Sequence, residues 1–140
     1  MSRTVDAEPS QTERLSSTSK RQREGSKHIG AFGKRTGDSD FVFLEGILPE
    51  KDGQVLNDHS IEEQTASCFD RLQAVLSARG LDLTNVMKVE VQLIDPADRD
   101  LVDDVYRTRF GGEYPPRTTV GVCSLPGGVA VQLDVIAAAE

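Results

Sequence analysis

Two consecutive prolines, Pro115 and Pro116, sit between the glycine pair Gly111-Gly112 and an alternating run, and no other feature constrains the chain as much. Neither proline can continue a helix, and each biases the residue before it toward extended backbone. A helix must therefore end before them, and a strand is predicted to begin at Arg117. Side chains alternate across a strand. Val120 and Val122 then share one face, and Arg117, Thr119, Gly121 and Cys123 share the other. The second face carries a guanidinium, a hydroxyl, a thiol and one position with no side chain, which leaves room for a small molecule against the sheet. A guanidinium grips a planar carboxylate through two parallel hydrogen bonds. The plainer reading of Arg117 is a surface salt bridge.

Residues 1–27 are rich in Ser, Thr, Gln, Glu, Arg and Lys, with hardly an apolar side chain. Such a segment buries too little to offset its ordering entropy, so a largely disordered polar extension is expected. Leu15-Ser16-Ser17 is its one candidate strand. The folded domain is expected over 28–140. Phe41-Val42-Phe43-Leu44 reads as a buried strand, closed by Gly46 and Pro49, and Lys51-Asp52-Gly53 as a turn. Ser60 with Glu63 three positions on forms a capping box, which opens a helix. Ile61, Cys68, Phe69, Leu72, Val75 and Leu76 recur at helical spacing, and Gly80 suits a left-handed cap. Cys68 lies on that stripe and reads as a small core residue.

Val86 to Ile94 alternates, with Met87, Val89, Val91 and Leu93 facing one side and Lys88, Glu90 and Gln92 the other. Asp95-Pro96 then supplies a cap and a first-turn proline for a second helix, with Leu101, Val102, Val105, Tyr106 and Phe110 on its buried face. In the last strand Val131, Leu133 and Val135 alternate with Gln132, Asp134 and Ile136. Two helices among these strands can cover one face of a single mixed sheet, so the fold class is α+β, a two-layer sandwich. Lys88, Glu90, Gln92 and Arg117 are expected together on the uncovered face, which is too mixed to be a core.

Composition narrows the function. A net charge of −7 disfavours a general nucleic-acid or membrane binder, because phosphate surfaces demand basic residues. The basic residues Lys20, Arg21, Arg23 and Lys27 are interspersed with acids and lack stacking aromatics, so they read as a solvated tail. No apolar run reaches membrane-spanning length, and the first residues lack a signal core. Cys68 and Cys123 are the only cysteines, too few for a disulfide framework, which favours a reducing, cytoplasmic setting. They and the isolated His28 and His59 lack zinc spacing, so no metal is expected. Without a phosphate-cradling glycine loop, no nucleotide cofactor is expected either.

Pro116-Arg117-Thr118-Thr119-Val120, then Leu125-Pro126-Gly127 and Val131-Gln132-Leu133-Asp134-Val135-Ile136-Ala137, resembles the C-terminal signature of the Rid family. These are the reactive intermediate deaminases, or YjgF-like proteins. The resemblance extends back to Ile29 through Asp58, Ser60 to Thr65, Gly46 and Gly30, and so covers most of the chain past its first thirty residues. It implies a chorismate-mutase-like sheet-and-helix fold and a homotrimer with ligand clefts between subunits. The implied activity is hydrolysis of reactive 2-imino acids to 2-oxo acids and ammonia, with no cofactor.

On this resemblance Arg117 matches the arginine that clamps the substrate carboxylate, and Gln132 stands where a glutamate commonly orients the attacking water. Phe32, Gly33, Glu45 and Gly46 fall at cleft-lining positions, and Thr119 and Cys123 share the arginine's expected face. Three departures stand out. Gly30-Ala31-Phe32-Gly33 replaces the common G-P-Y-S, Glu45-Gly46-Ile47 replaces S-G-Q, and Gln132 is an amide that can hold a water but not take its proton. Glu45 or Asp134 is a candidate for that task, although an exposed strand-end charge and a partner for a nearby base are the plainer readings. Cys123 has a plain reading too, as a small buried hydrophobe. The departures keep a second function open, a non-catalytic small-carboxylate-binding or chaperone-like trimer.

Overall fold

The computed structural model describes residues 33–35 and 41–139. The expected polar extension, its candidate strand at Leu15-Ser16-Ser17, and Phe32 lie outside the described residues. Strands β1 (Gly33–Arg35), β2 (Phe41–Ile47), β5 (Val86–Leu93), β6 (Arg117–Gly121) and β7 (Val131–Ala138) form one sheet in the order β1-β2-β7-β5-β6. Only β5 and β6 run parallel, so the sheet is mixed. That parallel pair needs a crossover, and helix α2 (Arg99–Phe110) supplies it. Helix α1 (Ile61–Ala78) lies on the same face. The hairpin β3 (Glu50–Lys51) and β4 (Gln54–Val55) stands apart, turning at Asp52-Gly53.

Local chemistry sets the helix ends. The Ser60 hydroxyl accepts from the Glu63 N–H at 3.1 Å, and the Glu63 carboxylate accepts from the Ser60 N–H at 3.3 Å. At the other end Gly80 has φ 75°, and the N–H groups of Leu81 and Gly80 bond the carbonyls of Leu76 and Ser77. This pair of bonds satisfies carbonyls the helix leaves over. The predicted second helix begins later than expected. Asp95 caps a single 3-10 turn over Pro96–Asp98, and α2 follows from Arg99.

The core lies between the helices and the sheet. Val42, Leu44, Val89, Val91, Leu93, Val131, Leu133 and Val135 meet Cys68, Phe69, Leu72 and Leu76 of α1 and Val102 and Tyr106 of α2. Burying each large aliphatic or aromatic side chain contributes about 1.5–3 kcal/mol. Buried Gln64 ties α1 to the start of β7, its side-chain oxygen accepting from the Ala130 N–H at 2.8 Å. Two expectations fail in detail. Met87 is exposed because a register irregularity between Val86 and Lys88 turns it outward and puts Val86 in the core. Leu101 is exposed, so α2 packs through Val102, Val105, Tyr106 and Phe110.

The face away from the helices carries Phe41, Phe43, Lys88, Glu90, Gln92, Gln132, Asp134 and Ile136. Arg117 does not join them. The parallel register sets Arg117 level with Val89 and Thr119 level with Val91, both core residues. Residues paired in this way point to the same side, so Arg117 and Thr119 project toward α2, and Thr118 and Val120 toward the open face. The alternation is as expected, but the strand lies the other way up.

Candidate functional site

Being at the sheet edge, β6 lets a long side chain on the helix face escape the core. Arg117 extends along α2 into a cleft of about 340 Å³. Its guanidinium lies 4.6 Å from the ring centre of Tyr106, within cation–π range. Nε and Nη2 donate to the Thr119 hydroxyl at 2.9 and 2.8 Å, and Nη2 also donates to Asp103 Oδ1 at 2.5 Å. Nη1 has no partner among the described residues. The plain reading of Arg117 as a salt bridge is therefore correct, but it leaves Nη1 free to donate. The pair is only partly open to water, with side-chain exposures of 17% for Arg117 and 20% for Asp103.

Arg99 and Arg107 line the same cleft, so three guanidiniums face one carboxylate there. The local field favours an anion. Arg107 is itself tied to exposed Asp104 at 2.9 Å, and Arg99 approaches Asp103 Oδ2 at 3.9 Å. Tyr106 forms the floor, packed edge-on against Phe69 with centroids 5.9 Å apart and tilted against Phe110 at 4.7 Å. It is 4% exposed, and its hydroxyl has no hydrogen-bond partner among the described residues. Burial pushes its phenol above the ordinary range, Arg117 opposes that shift, and Asp103 adds to it.

Gln132 stands elsewhere. On the open face its amide N–H donates to Gln92 Oε1, and Gln92 Nε2 donates to Glu90 at 2.8 Å and Asp134 at 2.9 Å. Asp134 also accepts the Gly46 N–H at 2.9 Å. Gly46, at φ 75°, marks the irregularity in β2, and a β-carbon there would come 3.9 Å from Gln132 Oε1. Glu45, Gly46, Gln132 and Asp134 are thus neighbours on one face, and Arg117 and Thr119 line a cleft on the other. Gly33 pairs with Leu44 at the far side of β2. Cys123 lies exposed beyond the end of β6 and lines neither region. Cys68 is buried, its thiol donating to the Ile47 carbonyl at 3.6 Å, and burial pushes its pKa far up.

Asp103 and Tyr106 were missed as site residues. The apolar stripe of the helix gives Tyr106 only a packing role, and Asp103 stands three positions before it, one helical turn away on the same face. That spacing was the available signal. Among the described residues no group of three or more His, Cys, Asp or Glu side chains could hold a metal ion, and no helix is long and apolar enough to cross a membrane.

Residues 26–139 match the family described as endoribonuclease L-PSP. A RutC family protein of Pyrococcus horikoshii is 33% identical over 116 residues, which span 81% of this chain and 91% of that protein. A 2-iminobutanoate/2-iminopropanoate deaminase of Mus musculus is 33% identical over 98 residues, covering 69% of this chain and 72% of that protein. The crystal structure of yeast Mmf1 is similar with a TM-score of 0.74 at 28% identity, covering 80% of this chain and 88% of that one.

Proposed function

The chain belongs to the endoribonuclease L-PSP family, the YjgF/RutC/Rid group, and on that premise we propose that it is a cytoplasmic imine deaminase that hydrolyses 2-imino acids to 2-oxo acids and ammonia. One observation supports this reading above the others. Arg117 is held by Thr119, Asp103 and Tyr106 with Nη1 unpaired among the described residues, inside a cleft walled by two further arginines. A guanidinium fixed in this way grips a small carboxylate and orients the atoms attached to it.

The reaction asks little more. Water oxygen bonds to the imine carbon, one water proton passes to the nitrogen, and a tetrahedral carbinolamine forms. The carbon–nitrogen bond then breaks, the hydroxyl proton passes to the departing nitrogen as the carbonyl forms, and ammonia leaves. Gln132 is the candidate to position the water. Its N–H is committed to Gln92, Oε1 has no partner among the described residues and can accept from the water, and Gly46 leaves space beside that oxygen.

Arg117 and Gln132 lie on opposite faces of one sheet, so a shared cleft requires a second copy of the chain. This supports a homotrimer with clefts between subunits, and the exposed Phe41 and Phe43 give such an assembly apolar surface to bury. RNA is a poor fit, since the open face presents Glu45, Glu90 and Asp134 to phosphates. A second reading, a small-carboxylate-binding trimer without turnover, draws on the same Gln132 amide, which cannot act as a base.

Ammonia release from freshly generated 2-aminoacrylate separates the two readings. Acceleration well above the spontaneous rate is expected of the deaminase. Carboxylate binding at the spontaneous rate would establish the binder instead.

A further inference from the structure

We propose that Asp103 is the specificity-determining residue of the Arg117 cleft, reading the positively charged nitrogen of a small zwitterion whose carboxylate Arg117 holds. This rests on the carboxylate-binding reading of Arg117 and names the substrate class within it.

An acid beside a carboxylate-binding arginine is a handicap if the ligand is a plain anion. Asp103 sits 2.5 Å from Arg117, neutralises part of its charge and repels an incoming carboxylate. The handicap becomes an advantage when the ligand brings its own cation. In a 2-imino acid, with its nitrogen protonated, or a 2-amino acid, the positive nitrogen is one carbon away from the carboxylate. The ligand's two charges can then lie head to tail against the Arg117–Asp103 pair. Asp103 has capacity for this. Only Oδ1 bonds Arg117, and Oδ2 has the exposed Arg99 at 3.9 Å, beyond hydrogen-bond range.

Tyr106 holds the arginine of the pair in place. Its ring centre lies 4.6 Å from the Arg117 guanidinium, and its buried hydroxyl lacks a partner among the described residues. The arrangement also separates substrate from product. The protonated imine has an N–H for Asp103, whereas the 2-oxo acid brings a carbonyl oxygen against the same carboxylate and is expelled.

The test uses two unreactive ligands of matched shape, 2-aminobutanoate and 2-oxobutanoate, titrated calorimetrically into the full chain and into Asp103→Asn. The wild type should bind the amino acid about tenfold tighter or better, and Asp103→Asn should lose that preference by weakening for the amino acid and tightening for the oxo acid. Equal weakening for both ligands in the variant would mean that Asp103 only orients Arg117, which overturns the inference. So would equal affinity in the wild type, a result that stands even if the variant fails to fold. Binding of neither ligand at millimolar concentration overturns the carboxylate reading of Arg117 itself. Imine hydrolysis without ligand preference sinks only the role given to Asp103.

Discussion

Arg117 and Gln132 project from opposite faces of one hydrogen-bonded sheet. The parallel pairing of β6 with β5 sets Arg117 level with the core residue Val89, and the antiparallel pairing of β7 with β5 sets Gln132 level with Gln92 on the open face. No rotamer change carries a side chain through a sheet. A ligand that touches both residues must therefore lie between two copies of the chain, and this relationship orders the predictions.

The first concerns assembly. Light scattering should give three chain masses in solution. Phe43, 40% exposed on the open face, is an apolar contact available to a neighbour. Phe43→Arg should yield a monomer with an unchanged far-ultraviolet spectrum and little turnover. A wild type that stays monomeric at micromolar concentration would remove the shared cleft and its role for Gln132.

If Arg117 clamps the substrate carboxylate as proposed, Arg117→Ala should reduce turnover by about 10²-fold or more, through lost orientation. It should also lower stability by ~1–2 kcal/mol, because Asp103 loses its nearest partner and Tyr106 its cation. Thermal melts and rates on one preparation check both. A large stability loss with unchanged turnover would make Arg117 structural only.

Tyr106→Phe should keep or raise stability and leave binding nearly unchanged. Removing a buried hydroxyl without a partner should leave the fold as stable or stabilise it by ~1 kcal/mol. Ligand affinity should stay within a few-fold in the same variant, because the aromatic face under Arg117 is kept. The wild-type phenol is raised above its ordinary value of 10.0, chiefly by burial. Above that pH the unfolded chain loses the proton first, so stability declines as pH rises from the ordinary value toward the raised one. The phenylalanine variant should lose less stability across that alkaline window, as denaturant titrations will show.

Gln132→Glu tests whether the water needs a base or only a place. The glutamate would lose the N–H that Gln132 donates to Gln92 Oε1 and would join Glu90 and Asp134 around one amide. Like charges and lost hydrogen bonding would raise its pKa. The variant should therefore be destabilised at neutral pH and recover as pH falls through that raised pKa. Turnover should stay within a few-fold of wild type or fall, because the imine carbon is already electrophilic. A gain of about 10²-fold would show that general-base help was the missing element.

The two thiols should differ sharply in reactivity. Cys123 is exposed and Cys68 is buried with its pKa pushed far up, so a thiol reagent should label Cys123 alone in the native protein. Both should label after unfolding. Rapid native labelling of Cys68 would contradict the packing of α1 on β2.

Much of the fold was legible because its signals are local. The capping box of Ser60 and Glu63, the left-handed Gly80, the proline stop before Arg117 and the alternation of β7 each depend on a few neighbouring residues. The irregularity that exposes Met87 was not legible, because it arises where two strands meet rather than within one.

The same division holds for the site. Sequence alone determined that Arg117 and Thr119 share a face, since alternation is a property of a single strand. Which face that is depends on partners distant in the chain. Val120 and Val122 made the opposite side look like the core, yet Val120 lies level with Gln92 on the open face, and the arginine lies over α2. An edge position tolerates this inversion, because a long guanidinium stem can cover apolar surface while its charged end reaches the rim. Only the tertiary structure could bring Asp103, fourteen residues earlier, to 2.5 Å from Arg117. That contact forms because the crossover through α2 returns the chain to the edge of its own sheet, and no sequence spacing encodes it.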